Sequence, residues 1–367
     1  MAVKEYPFYL KSTTVLFGLV LLVYVLLALG SILVPFCFAV LIAILLNPLC
    51  TWLQKRLPKV LAVVLSLLIA IIVLGGIIFL LTTQVAQFSD AIPALKLKFA
   101  SMMDSVEDYI MLHFGIATSK QAAFIKSALN SSQALVGRTI VTVLGTIGVV
   151  LVIPVYVFLM LFYKTLIVNF LFEVFKEKHS QRVGEILSET KTAIQSYIVG
   201  LLIEMLIIST LNSIALLILG VKYAILLGFL GGALNMLPYI GGIIAIALPV
   251  IIATVTKDGY STQFGIIIAY LVIQFIDNNI IFPRFVSIKV RINALVSIIV
   301  VLLGNALWGI SGMFLSIPFI AILKIIFDRI DDLKPWGKLF GDTVPTRHMG
   351  QIWGRRKKTV VEKTLEE

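Results

Sequence analysis

Glu204 and Asp277 are acidic residues set deep inside long apolar runs of this 367-residue chain. A carboxylate in hydrocarbon is costly, so such groups face a bundle interior or a cavity, where they serve protons, cations or polar substrates. Asp277 sits in Gln274-Phe-Ile-Asp-Asn-Asn279. Helical spacing puts Gln274, Asp277 and Asn278 on one face, at i, i+3 and i+4. That face suits a polar solute, a cation or a proton, and it would equally lock its helix to neighbours through side-chain hydrogen bonds. Glu204 has fewer polar neighbours, chiefly Ser209 and Thr210. Asn235 and Asn305 stand at or beside two breaks in the apolar pattern, where an amide satisfies freed backbone groups or a ligand. The candidate substrate- or ion-binding residues are therefore Asp277, Asn278, Gln274, Asn235, Asn305 and Glu204.

The breaks define the elements that would position these groups. Leu234-Asn-Met-Leu-Pro-Tyr-Ile-Gly-Gly242 interrupts one apolar stretch and Gly304-Asn-Ala-Leu-Trp-Gly309 another. Residues 223–237 would make a helix of roughly 22 Å, against a hydrocarbon thickness of about 30 Å. That is too short to cross, so residues 223–256 and 292–326 read as helical hairpins that enter the membrane part-way and return. Their tips must be buried in protein, because unpaired backbone is not tolerated against lipid. Pro238, Gly241, Gly242, Pro249, Gly309, Gly312 and Pro318 read as hairpin-shaping residues, the glycines for positive φ and close backbone approach. Gly228 and Gly232 have a small-xxx-small spacing too common to carry weight by itself. A span plus a hairpin from outside, followed by a span plus a hairpin from inside, is the order of an inverted repeat, and broken helices of this kind mark transporter sites.

Composition sets the class. With 60% hydrophobic residues and a mean hydropathy of +1.06, the chain reads as an all-α polytopic membrane protein, not a soluble one. Hydropathy gives about eight apolar spans, which the short pair lengths reduce to about six full spans plus the two broken hairpins. The formal charge of +11 lies between apolar runs and in the tail, as the positive-inside rule expects, and so does not point to nucleic acid. Cys37 and Cys50 are too few for a disulfide framework or a metal cluster. His113, His179 and His348 are far apart, and no H-E-x-x-H, G-x-S-x-G or P-loop pattern is present. Enzyme and ATP-driven readings therefore lack support. No cofactor is expected beyond a coupling proton or sodium ion.

The organisation expected is N-terminal membrane helices over 1–83, an extracytoplasmic helical segment over 84–138, a fourth span over 139–163 and a cytoplasmic interfacial helix over 164–192. A transport core over 193–327 and a cytoplasmic tail over 328–367 follow. The first two spans are expected to meet at Pro35. Basic links after the second and fourth spans place the N-terminus in the cytoplasm, and the basic tail containing Arg355-Arg-Lys-Lys358, read as cytoplasmic too, makes the second apolar pair a hairpin entering from inside. The first apolar run is too long for a signal-peptide core and reads as a retained helix.

Three motifs in order, Ala233-Leu-Asn-Met-Leu-Pro-Tyr-Ile-Gly-Gly242, Gln274-Phe-Ile-Asp-Asn-Asn-Ile-Ile-Phe-Pro283 and Gly309-Ile-Ser-Gly-Met-Phe-Leu-Ser-Ile-Pro318, resemble those of the autoinducer-2 exporter family. Two positions depart from its pattern. Ile292-Asn-Ala294 stands where a His-Pro pair is usual, and Asp277 where Glu is usual. The resemblance implies export of the furanone-derived quorum signal autoinducer-2 for some members, sodium or lithium/proton antiport for others and no settled substrate for most. The function expected is export of a small polar solute, autoinducer-2-like or a related metabolite, by alternating access. The resemblance also implies the inner (plasma) membrane and a homo-oligomer, plausibly a pentamer. A non-transporting scaffold that binds partners through its outer segment and tail is the remaining alternative.

Overall fold

The structure is a computed structural model that describes residues 7–79, 151–175, 180–237, 241–257, 259–286 and 292–342, with single positions at 81, 97, 101 and 112. The expected outer segment, the start of the fourth span and the end of the tail lie outside these residues. Every regular element among the described residues is helical, which is what apolar sequence in lipid requires of a backbone that must satisfy its own hydrogen bonds. The helices are α1 (Phe8–Ala28), α2 (Gly30–Leu53), α3 (Lys59–Phe79), α4 (Leu151–Phe162), α5 (Lys164–Val174) and α6 (Ser180–Ile218). There follow α7 (Ala224–Asn235), α8 (Gly241–Thr256), α9 (Ser261–Ile276), a π-helical segment (Asp277–Ile281), α10 (Phe282–Phe285), α11 (Ala294–Arg329) and α12 (Lys334–Phe340). Among the described residues, six helical stretches are long and apolar enough to cross a membrane, or seven if α4 and α5, bent by 62°, count as one span.

Two boundaries differ from the sequence expectation. The first two helices meet at Leu29, and Pro35 lies buried inside α2. The break falls where it does because an indole docks there: Trp308 Nε1 donates to the Leu26 carbonyl at 2.9 Å, and a Cβ on Gly30 would sit 3.2 Å from that ring. The segment 164–192 is not one interfacial helix. It divides into α5 and the first third of α6, which runs unbroken for 39 residues. With no proline between Ser180 and Ile218, nothing stops the helix at the expected membrane boundary. At about 58 Å it overshoots the hydrocarbon, so one end projects beyond it.

Helix α6 is the ruler for the rest. Gly220 and Tyr223, with φ of 63° and 60°, turn the chain so that α7 runs back along α6. Gly228 lies against Ser213, and Gly232 against Ser209 and the Met205 carbonyl, so closely that a Cβ at either would overlap them. The small-xxx-small spacing is thus a tight helix contact. Gly241 packs on the Leu234 carbonyl, closing the hairpin tip, and α8 returns to place the Lys257 amine 3.2 Å from where a Gly220 Cβ would stand. The hairpin α7–α8 therefore begins and ends at the same end of α6. Pro238 lies in its tip, outside the described residues.

Helix α11 reads as one long helix by length but is a second hairpin in space. The chain reverses at Trp308 and Gly309, the latter at φ 59°, ψ −141°. A straight helix would hold Gly304 and Gly312 about 12 Å apart, yet a Cβ on each would overlap the carbonyl of the other. The open end is tied by Asn293, which caps the first arm by accepting from the Val296 amide at 2.9 Å and donates to the Leu339 carbonyl at 2.6 Å. Beyond the second arm, Arg329 pairs with Glu185 and Glu189, and Arg182 with Asp331 at 3.4 Å. These partners belong to the first turns of α6. The two hairpins therefore open at opposite ends of α6. Helices α9 and α10 run antiparallel to α6 between them, with Gly265 against Leu219 and Gly200 against the Phe285 carbonyl.

Two outcomes test this geometry. With Cys37 and Cys50 replaced, Lys222→Cys and Lys257→Cys should react with an impermeant thiol reagent from one membrane face, and Arg182→Cys and Lys334→Cys from the other. Labelling that splits either pair would replace the hairpins with crossings. Gly232→Ala should lower thermal stability in detergent by ~1–3 kcal/mol, as overpacking of a close contact does.

Candidate functional site

Asn235 is the last residue of α7, at the hairpin tip, and its side-chain amide joins the two acids. Nδ2 donates to Glu204 Oε1 at 3.0 Å and to Asp277 Oδ2 at 2.9 Å. Gln274 Nε2 adds contacts at 3.4 Å to Asp277 Oδ2 and Asn278 Oδ1. Glu204 and Asp277 are 3% and 2% exposed. Each carboxylate spends one oxygen on Asn235, while Glu204 Oε2 and Asp277 Oδ1 find no partner among the described residues. Three separate elements, α6, the tip of α7 and the end of α9, thus meet on one amide.

The local backbone explains how Asp277 reaches it. The chain changes from α to π winding at Asp277. Pro283 has no amide to donate to the residue four before it, which frees the preceding turn to rearrange. Wider turns of this kind recur at functional sites. Asn279 bonds back to the Phe275 carbonyl at 2.7 Å and takes no part in the cluster.

The cluster forms one wall of a cavity of about 670 Å³. Its lining runs from Ile246 and Leu271, beside the first hairpin, to Ile292 and Ala294 at the entrance of the second. The cavity therefore reaches from the middle of the molecule toward the end where α6 begins. Glu204, Asn235, Gln274, Asp277, Asn278 and Ser297 supply its polar groups among mostly apolar side chains, the composition of a small-molecule site. Gly242 lets Gln274 come close, since a Cβ there would lie 3.1 Å from the Gln274 Oε1.

Of the six binding candidates, five are brought together. Asn305 is not: it is exposed on the first arm of α11, away from the cavity lining. Among the shaping residues, Gly309 supplies positive φ, Gly241 and Gly312 supply close approach, and Pro249 and Pro318 are buried inside helices. Tyr197, Met236 and Ser297 line the cavity and were not read from sequence. Tyr197 had a signal, lying seven residues before Glu204 and hence on its face.

A profile of the AI-2E family of transporters matches residues 16–332, which include the whole site. The chain belongs to the AI-2E transporter family. It is 26% identical over 315 residues to YrrI of Bacillus subtilis (strain 168), covering 82% of this chain and 87% of that protein. It is 27% identical over 307 residues to the AI-2 transport protein TqsA of Escherichia coli (strain K12), covering 82% of this chain and 86% of that one. Family and hydropathy together make it a multi-pass membrane protein with a transport role. In this member of the AI-2E family, Asn235→Leu strands two buried carboxylates and should cost ~1.5–3 kcal/mol of stability. Asn305→Leu, at an exposed position, should stay within about 0.5 kcal/mol. Thermal denaturation of both variants in one detergent checks the contrast.

Proposed function

We propose that this AI-2E family member is a secondary exporter of a small polar solute that works by alternating access around the Glu204–Asn235–Asp277 cluster. The observation that carries the reading is the cavity itself: about 670 Å³ is far more than a bare ion needs and suits a compact polyhydroxylated or carbonyl-bearing molecule. The solute named for TqsA is one such candidate. Gln274 and Asn278 offer both donors and acceptors for its polar groups, and the apolar wall excludes water from its body. The acids supply the coupling. Two carboxylates joined through one amide repel each other, and a single proton or monovalent cation on their free oxygens relieves that repulsion. The hairpins act as re-entrant gates. Each has a short tip held by close glycine contacts and an open end at one end of α6, so rocking one against α6 and α9 opens one side at a time.

The paired free carboxylate oxygens favour a second reading, a sodium or lithium/proton antiporter in which no organic solute moves. Proteoliposomes separate the two: efflux of autoinducer-2 supports the exporter, and sodium-driven proton flux without solute movement supports the antiporter. Asp277→Asn is expected to abolish gradient-driven flux in whichever assay the wild type passes. Wild-type rates with an unchanged pH dependence in that variant would sink the role given to Asp277.

A further inference from the structure

Beyond the acid pair, toward the end of α6 where the first hairpin opens, α6 and α9 carry polar groups that the transport cavity does not use. Gln263, Tyr270 and Asp277 recur every seven residues and so share one face of the α9 segment. Ser209 and Asn212 lie one to two turns past Glu204 on α6. Ser209, Asn212, Gln263 and Tyr270 are all buried. Yet Ser209 Oγ, Asn212 Oδ1, Gln263 Oε1 and Tyr270 Oη have no hydrogen-bond partner among the described residues.

Three of these groups converge on the glycine pair of α7. A Cβ on Gly231 would lie 2.9 Å from Asn212 Nδ2 and 3.6 Å from Tyr270 Oη, and one on Gly232 would overlap Ser209 Oγ. The glycines thus let these polar side chains press against the α7 backbone. Each unsatisfied buried polar group costs ~1–3 kcal/mol, and protein interiors meet such groups with bound water. Helices α7 and α8 contribute no ionisable side chain here. The titratable groups facing the region are Glu204, Asp277, Tyr270 and, on the cavity wall, Tyr197.

We infer that Ser209, Asn212 and Tyr270 form a second polar site, a hydrated relay that carries protons between the Glu204–Asp277 pair and the face where Gln263, Lys222 and Lys257 lie. This rests on the acid pair being the coupling site. In the step, a proton leaves a carboxyl for the adjoining water. That water passes one of its own protons to the Tyr270 hydroxyl oxygen as the hydroxyl releases its proton to the next water. One proton moves, the carboxylate is left charged, and reorientation of the hydroxyl and waters resets the path. Leu216 and Ile266, fully buried, lie in the apolar layer between Tyr270 and Gln263. They close the path in this conformation, which prevents a proton leak between turnovers.

Two measurements on the full-length protein in nanodiscs test the relay. Radiolytic hydroxyl labelling should oxidise Tyr270 although it is only 4% exposed, and Asn212→Leu should reduce that labelling severalfold. A Tyr270 protected in the wild type would overturn the relay. Secondly, in a background lacking Cys37 and Cys50, a bulky maleimide on Ser297→Cys plugs the cavity. Protonation of the acids after a pH jump, read from the carboxyl infrared band, must then come through the relay. Tyr270→Phe, which keeps the ring, is expected to slow it at least about tenfold, a modest share of what a positioned proton carrier contributes. The unplugged protein should show no such slowing. Equal plugged rates with and without the hydroxyl overturn the relay alone. A band that is absent in the unplugged wild type, or that survives Glu204→Gln with Asp277→Asn, overturns the coupling-site reading and the relay with it.

Discussion

A single amide holds the transport core together. Asn235 can donate two hydrogen bonds from one nitrogen, and both go to carboxylates, one on α6 and one at the end of α9. In an apolar interior an unpaired carboxylate is prohibitive and a half-paired one is expensive. The position of the hairpin tip is therefore fixed by the acids, and the acids remain buried only while the tip is there. In the mechanism proposed above, binding of a proton, cation or solute at the free oxygens would change this balance directly and so move the hairpin.

The other close contacts serve that geometry. Glycines at 228, 231, 232, 241, 304 and 312 stand where backbone meets backbone or a neighbouring side chain. In lipid, where helices gain little from hydrophobic burial, such approach is a main source of cohesion. The surface ion pairs of Arg329 with Glu185 and Glu189 are half-exposed and add little stability. Their value is positional, since they fix the open end of the second hairpin at the first turns of α6. Trp308 does the same for the tip, through the Leu26 carbonyl.

Much of this was legible in the sequence. Short apolar arms around Gly and Pro indicate both hairpins, and intramembrane acids indicate the candidate site. Asp277 with Gln274 on one face was readable from spacing alone. What was not legible depended on contacts between distant parts of the chain. Asn305 resembles Asn235 in type and in its place beside a break, but its helical phase points it away from the cavity. The Leu29 junction follows from an indole 279 residues later in the chain, which no local pattern announces. The meeting of Glu204 with Asp277 was open in the same way, because both had to find a third residue.

In alternating access the cluster is reached from both faces in turn. Met236, at the tip of the first hairpin and in the cavity wall, reports it. With Cys37 and Cys50 replaced, Met236→Cys in oriented proteoliposomes should react with impermeant thiol reagents from either face, with the accessible face switching as pH or sodium is changed across the membrane. Reaction from one face under every condition would contradict alternating access at this site.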